Sequence, residues 1–187
     1  MADADELAQW LARRRLPGAD KAGIDAAIFA RFGRTQAVMF TDLVGFSYMA
    51  ASYGIVEGLQ LVEASEALFL PLVAQHGGQC LKREGDSLLV LFDHALPALS
   101  AARAMVAASN AAGFEVCIGL GYGDLLRIGE HEVWGAEVNA ASKLGEDLAC
   151  GGEVLFTHDF RLAVPQVAVK HHGLLCDRWP VYRLSDT

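Results

Sequence analysis

Two acidic residues of this sequence stand where a metal ion could bind. Asp42 ends an apolar run in FTDLVGFS, residues 40–47, and Asp86 follows Gly85 between two apolar runs. A carboxylate at the end of a buried strand is costly unless it is solvated, caps the next helix or faces a cation. Two converging carboxylates repel each other unless a divalent cation lies between them, and such a cation completes its shell with substrate phosphates. The pair therefore predicts a Mg²⁺ or Mn²⁺ site if the two segments are neighbours; otherwise Asp42 is a helix cap and Asp86 a turn former.

The residues that follow the first aspartate extend this hypothesis. The backbone carbonyl of Leu43 is a candidate ligand for the same ion. Gly45, Phe46 and Ser47 begin a predicted helix, and the free N–H groups and positive dipole end of a helix favour a bound phosphate. The sequence therefore predicts a metal site and a phosphate site that are contiguous.

Periodicity predicts the elements that position these residues. Residues 1–35 show helical spacing with a break at Pro17-Gly18, so we assign them to an N-terminal helical extension. Residues 36–187 show the order βααββαββαβ, in which FEVCIGLGYGDLLRI is predicted to form two strands. QCLKRE and SLLVLF form a predicted hairpin whose connection is Gly85-Asp86. This alternation predicts an α+β fold with helices packed on a mostly antiparallel sheet.

Composition narrows the class of protein. The 187 residues are 53% hydrophobic, which suits one well-buried core. The net charge of −8 argues against a nucleic-acid partner. The four cysteines lack CxxC spacing and are predicted to be reduced, structural thiols. No apolar run is long enough to cross a bilayer, and the first residues lack the order of a secretory signal, so we expect a cytoplasmic protein without a membrane span.

Three segments together resemble a known family. In chain order, FTDLVGFS, KREGDSLLVLF and VWGAEVNAASK are similar to the three signatures of the class III adenylate and guanylate cyclases. The resemblance covers roughly residues 36 to 183. It implies a ferredoxin-like cyclase domain related to polymerase palms. It also implies that a nucleoside triphosphate is converted to a cyclic nucleotide and pyrophosphate.

The resemblance assigns roles residue by residue. Asp42 and Asp86 match the two metal-binding aspartates, which implies two Mg²⁺ or Mn²⁺ ions per site, one activating the ribose 3′-hydroxyl and one binding the triphosphate. Lys82 and Glu132 match the residues that read the purine edge. Asn139 matches the asparagine that orients the ribose.

Two lysines are expected to contact phosphates. Lys143 stands one helical turn after the ribose-orienting asparagine, where the family places an arginine against the transition-state phosphate. A lysine keeps the charge but loses the planar two-pronged donor geometry, so we expect slow or Mn²⁺-favouring turnover. Lys170, on the last hairpin, matches the position that contacts the terminal phosphates.

The residues at the two base-reading positions, Lys82 and Glu132, favour ATP as the substrate. A lysine can donate to adenine N1, and a carboxylate can accept from the N6 amine. Guanylate cyclases of the family typically have glutamate in place of Lys82 and cysteine or a small residue in place of Glu132, and this chain has neither. GTP stays an alternative, since the same two side chains could satisfy guanine if the base shifted. A second alternative is a degenerate regulatory domain that binds nucleotide or a partner without turnover. Lys143 favours it, and so does Glu84, a charged residue where the family usually has an apolar one.

The resemblance also implies an assembly. In the family one chain supplies the metal-binding aspartates, and the other supplies the residues that read the purine and the ribose. This chain contains both sets, so we expect a homodimer with two equivalent composite sites.

Overall fold

The structure is a computed structural model that describes residues 2–185 of the chain. It contains one eight-stranded sheet whose main path has the order β2-β3-β1-β4-β6-β8-β7, with β5 paired to β4. The strands are β1 Gly33–Leu43, β2 Gln79–Glu84, β3 Ser87–Phe92, β4 Val116–Ile128, β5 Glu132–Trp134, β6 Val154–Thr157, β7 Val169–Leu175 and β8 Trp179–Leu184. All neighbours are antiparallel except β4 and β6, so the mostly antiparallel sheet is confirmed.

Helices cover both faces of this sheet. They are α1 Ala2–Arg14, α2 Lys21–Phe32, α3 Phe46–Tyr53, α4 Ile55–Gln75, α5 Ala95–Ala112, α6 Ala136–Lys143 and α7 His158–Ala163. A π-helical turn, residues 144–148, follows α6 directly. The α+β class predicted from the sequence is confirmed. In residues 2–185, no helix combines the length and apolar character that crossing a bilayer requires.

Alternation along β1 directs its side chains to two different cores. Ala37 and Met39 belong to the larger core, with residues of α4, α5 and α7. Val38 and Phe40 belong to a second core, with Ala141 of α6. Since successive side chains of a strand point to opposite faces, Asp42 continues the face that carries Val38 and Phe40. This is the face that α6 covers.

The N-terminal helices pack against the end of the sheet that is remote from Asp42. Ile28 and Phe32 of α2 form a buried cluster with Ile128 of β4, and Trp10 of α1 packs against it. The Arg14 guanidinium donates to Asp25 and joins the two helices. The strand that follows begins at Gly33, inside the segment that the sequence assigned to the extension. The division at residues 35 and 36 stays a prediction.

One predicted pair of strands is a single strand. The segment predicted to form two strands is β4, 13 residues long, and it pairs with β1 from Gly33 to Leu43. Its three glycines, Gly119, Gly121 and Gly123, are the places where α6 touches the sheet. The helix α7 was not predicted from the sequence.

Candidate active site

Asp42 and Asp86 meet at one edge of the sheet. Asp42 is near the end of β1, which pairs with β3 as far as Thr41 opposite Leu88, and Asp86 is in the turn that precedes β3. The Ser87 hydroxyl donates to Asp42 Oδ1 at 3.4 Å. The structure therefore brings the two predicted metal ligands together. The helix-cap alternative for Asp42 is wrong, because Gly45 caps α3 and no side chain bonds to that cap.

The electrostatics of the pair fit a cation. Partial burial raises the pKa of Asp42 to about 6, and the charge of Asp86 adds to the rise, while the Ser87 hydrogen bond opposes it. Burial also raises the pKa of Asp86, and the backbone N–H groups of Asp86 itself and of Leu43 limit that rise. Two half-buried carboxylates that each resist ionisation are stabilised when a divalent cation neutralises them.

Side chains alone do not complete a coordination shell. In the part of the chain that the structure describes, no group of three or more His, Cys, Asp or Glu side chains is arranged to hold a metal ion. Mg²⁺ is typically bound by one or two carboxylates, with waters and substrate phosphates as the other ligands. The donor set at Asp42 and Asp86 fits that kind of site, with the Leu43 carbonyl as the predicted further ligand.

The predicted phosphate site adjoins this pair. Gly45 has φ 81°, a left-handed conformation that favours glycine, and it turns the chain sharply from β1 into α3. The helix starts at Phe46, so its first N–H groups have no partner within the helix. Ser47 is exposed, whereas the Phe46 ring packs toward α4, where a Cβ at Gly58 would lie 3.0 Å from it. Phe46 therefore anchors the helix, and its backbone is the part available to a phosphate.

The two predicted purine-reading residues lie on different strands, Lys82 on the edge strand β2 and Glu132 on β5, and β3, β1 and β4 lie between these strands in the sheet. Leu81 of β2 and Val133 of β5 belong to one buried cluster, and they directly adjoin Lys82 and Glu132. Both candidate side chains are solvent-accessible, and the Lys82 ammonium forms an ion pair with Glu84 at 3.8 Å. Glu84 thus competes with the purine base for the Lys82 ammonium, the group that is predicted to read that base.

Asn139 and Lys143 lie one turn apart on α6, at a different place from the aspartates. Both are exposed and line a cavity of about 610 Å³ between α6 and the β7–β8 hairpin, with Trp179 opposite. Among the described residues, neither aspartate of the candidate metal site belongs to the wall of this cavity. The Lys143 ammonium lies 3.9 Å from Asp147. The predicted catalytic pair, Asn139 and Lys143, therefore lines a cavity that the predicted metal pair does not line.

Lys170 is not part of that cavity wall. It lies on β7 opposite Arg183 of β8 and is partly buried. Its contact with terminal phosphates stays a prediction.

Three residues near the site were missed by the sequence. Ser87 bonds to Asp42, and the charge of Glu146, in the π-helical turn, contributes to the raised pKa of Asp42. Glu137 on α6 bonds to two strands of the sheet. Two of them had a signal in the sequence, because Ser87 lies inside the second motif, next to Asp86, and Glu137 lies inside the third, two positions before Asn139.

Comparison with known proteins supports the cyclase resemblance. No family model matches the chain. Over 114 residues, 59% of this chain and 29% of the relative, the sequence is 37% identical to an adenylate cyclase of Streptomyces coelicolor. The chain thus spans less than a third of that relative's length.

Solved structures share the fold. An adenylate/guanylate cyclase/hydrolase from Silicibacter pomeroyi matches with TM-score 0.73 and 22% identity, covering 83% of this chain and 98% of that one. An atypical dimeric guanylyl cyclase domain from the aquatic fungus Blastocladiella emersonii matches with TM-score 0.71 and 16% identity, covering 81% and 96%. This chain is thus similar in sequence to an adenylate cyclase, shares its fold with adenylate and guanylate cyclase domains, and carries three motifs that resemble those of the class III cyclases.

Proposed function

We propose that this chain converts ATP to cyclic AMP and pyrophosphate. The observation that carries the proposal is the pairing of Asp42 with Asp86 beside the start of α3. A cyclase must hold a triphosphate and neutralise its charge, and two adjacent carboxylates suit the divalent ions that accompany nucleotides. The adenylate cyclase of Streptomyces coelicolor, similar over 114 residues, supports the same activity.

The proposed reaction is an in-line displacement. The ribose 3′-oxygen attacks the α-phosphorus, the bond from that phosphorus to the bridging oxygen of the β-phosphate breaks, and pyrophosphate leaves with the bond's electron pair. The hydroxyl proton passes to solvent. Divalent ions, when bound, activate the attacking hydroxyl and neutralise the triphosphate. Asp42 and Asp86 would hold these ions, and the N–H groups at the start of α3 would bind phosphate oxygens.

The residues of α6 would act on the other parts of the substrate. The Asn139 amide would orient the ribose, which places the attacking oxygen in line with the α-phosphorus. The Lys143 ammonium would neutralise the charge that develops on the phosphate. Lys82 and Glu132 would read the adenine edge by donating to N1 and accepting from the N6 amine.

A homodimer explains why these groups lie apart within one chain. The cavity beside Asn139 and Lys143 excludes the aspartates, so a complete site requires that a second chain bring its metal pair to this cavity. Exposed apolar side chains on α3 and α4 suit such an interface, since contiguous exposed apolar surface marks interaction sites. They include Tyr48, Tyr53, Ile55, Val56 and Leu59, which are 55% to 74% exposed.

A second candidate function is a regulatory domain that binds nucleotide without turnover. Two ion pairs favour it, Lys82 with Glu84 and Lys143 with Asp147. In each pair a carboxylate binds the lysine ammonium that would otherwise contact the substrate. Asp42 and Asp86 favour the enzyme, since a domain that only binds nucleotide does not need both carboxylates.

One assay separates these functions. The protein is incubated with ATP or GTP in the presence of Mg²⁺ or Mn²⁺, and cyclic products are identified by chromatography, with Asp42→Ala as the control. The proposal predicts cyclic AMP, more with Mn²⁺ than with Mg²⁺, and none from the variant. Cyclic GMP as the main product would reverse the base assignment. Folded protein that yields no product from either nucleotide would support the regulatory domain instead.

A further inference from the structure

Glu137 joins α6 to two strands of the sheet through one oxygen atom. Its Oε2 accepts a hydrogen bond from the backbone N–H of Tyr122 on β4 at 3.0 Å. The same oxygen accepts a hydrogen bond from Thr157 Oγ1, at the end of β6, at 2.6 Å. Thr157 is buried and also caps α7 through a bond from Phe160 N. Glu137 thus connects the start of α6 to a rigid part of the sheet.

Glycines of β4 bring the helix backbone onto the sheet at this point. A Cβ at Gly121 would lie 2.5 Å from the carbonyl oxygen of Glu137 and 2.9 Å from its Oε2. A Cβ at Gly119 would lie 2.0 Å from the carbonyl oxygen of Ala141. Real Cβ contacts are longer than this, so any side chain at either position would force the helix away. The glycines leave room for the Glu137 carboxylate to reach its partners.

The two hydrogen bonds that Glu137 accepts, from Tyr122 and Thr157, are called the tether here. The tether sets the direction in which the side chains of Asn139 and Lys143 point. Residues two apart on a helix lie roughly 200° apart around its axis. Because Glu137 points to the sheet, Asn139 points away from it, and Lys143, one turn later, lies near Asn139 in direction. The helix has only eight residues, and so short a helix depends on tertiary contacts to keep its shape and rotation.

We propose that Glu137 is a positioning residue of the cyclase reaction, which fixes the rotation of α6 and thereby the places of Asn139 and Lys143. This inference rests on the proposed function. Glu137 does not touch the substrate in this account. Its effect arises because a displacement of about 1 Å at an orienting group can slow a reaction by about a hundredfold.

Three variants test the role. Glu137→Gln keeps an oxygen that can accept both hydrogen bonds, Glu137→Leu removes that acceptor at similar size, and Thr157→Val removes one donor. We expect Glu137→Gln to keep kcat within about twofold, Glu137→Leu to lose at least about tenfold in kcat with little change in KM, and Thr157→Val to lie between them. Melting temperatures and circular dichroism confirm that each variant is folded at the assay temperature.

Two results would overturn the proposal. One is a folded Glu137→Leu variant with wild-type kcat, which would show a role in stability alone. The other is a Glu137→Gln variant as slow as Glu137→Leu, which would show that the charge matters and not the tether.

Amide hydrogen exchange separates this inference from the proposed function. Exchange of the amides in residues 138–143 should be at least about tenfold faster in Glu137→Leu than in Glu137→Gln, which should match the wild type. If wild-type protein makes no cyclic product but the exchange difference is present, the proposed function fails and the catalytic role of the tether falls with it. If wild-type protein is active and exchange is equal in all variants, only the tether is refuted.

Discussion

Asp42 and Asp86 are each stabilised by the residue that follows the other. Ser87, after Asp86, donates its hydroxyl hydrogen bond to Asp42, and the backbone N–H of Leu43, after Asp42, interacts with the Asp86 carboxylate. This reciprocal arrangement holds two like charges close together at the edge of the sheet. The site therefore stores an unfavourable interaction that a divalent cation would relieve.

The metal-free protein should become more stable when Asp42 loses its charge. The pKa of Asp42 is about 6 in the folded state, above the ordinary value of 3.8, so the folded state binds this proton more tightly. The contribution of Asp42 to the unfolding free energy is therefore favourable below about pH 4, falls as the pH rises to about 6, and stays low above that.

Asp42→Asn removes this penalty. With a chelator at pH 7.5, we expect its melting temperature to exceed that of the wild type by about 2 to 4 °C, which corresponds to about 1 kcal/mol after solvent screening of the half-buried group. At pH 4 the two proteins should melt together. Calorimetry measures both, with Glu130→Gln as an exposed control. A lower melting temperature for Asp42→Asn at pH 7.5 would contradict the electrostatic account.

Lys143→Arg should raise turnover. An arginine restores the two-pronged donor geometry that suits phosphate oxygens, and one well-placed transition-state donor contributes about 3 to 4 kcal/mol. Because the lysine already supplies part of this, we expect kcat with Mg²⁺ to rise about tenfold and the preference for Mn²⁺ to shrink. Steady-state assays with each ion check it, with Lys143→Met as the loss-of-charge control. Slower turnover by the arginine variant would show that Lys143 does not face the phosphate.

Two inactive variants should restore activity when they are mixed. Asp42→Ala removes a proposed metal ligand and Asn139→Ala removes the proposed ribose ligand, so each variant's proposed homodimer lacks a complete site. A heterodimer has one site that lacks both residues and one that is intact. An equal mixture should therefore reach about a quarter of wild-type activity. Persistent inactivity in a sample whose heterodimers are demonstrated by mass spectrometry would exclude composite sites.

Gly119→Ala should destabilise the protein strongly. Its new methyl group would lie 2.0 Å from the carbonyl oxygen of Ala141, and the backbone on both sides resists movement. We expect a loss of about 3 kcal/mol in the free energy of unfolding, measured by denaturant titration. Gly173→Ala is the matched control, because nothing lies within 4 Å of a Cβ there, and it should change stability by less than about 0.5 kcal/mol. Equal stability of the two variants would refute the close contact between α6 and β4.

The sequence predicted the parts of the fold that depend on local signals. Asp20 begins α2 as expected, with its carboxylate accepting from Gly23 N at 2.9 Å. The hairpin tip at Gly85-Asp86 is also where local turn chemistry placed it, with Gly85 at φ 62°. Both features depend on residues that are close in the chain, so the residue types alone predict them.

What the sequence did not predict depends on contacts between distant segments. The glycines of β4 leave room for the backbone of α6, which lies against them. This role depends on a helix that is distant in the chain, so the sequence did not reveal it. Glu137 looks like an ordinary acidic residue in the first turn of a helix, and its partners Tyr122 and Thr157 are on two other elements. The predicted metal pair had a signal in the sequence, because Asp42 lies in the first motif that resembles the cyclases and Asp86 lies in the second.

The most direct test of the account is Mn²⁺ binding in the presence of a non-hydrolysable ATP analogue, followed by electron paramagnetic resonance. The account predicts that wild-type protein with the analogue binds two ions per site, and that binding weakens as the pH falls below about 6, because protons compete for Asp42. Asp42→Asn and Asp86→Asn should each lose at least about tenfold in affinity. Unchanged Mn²⁺ binding in both variants would contradict the central claim that these two carboxylates hold the ions against the nucleotide.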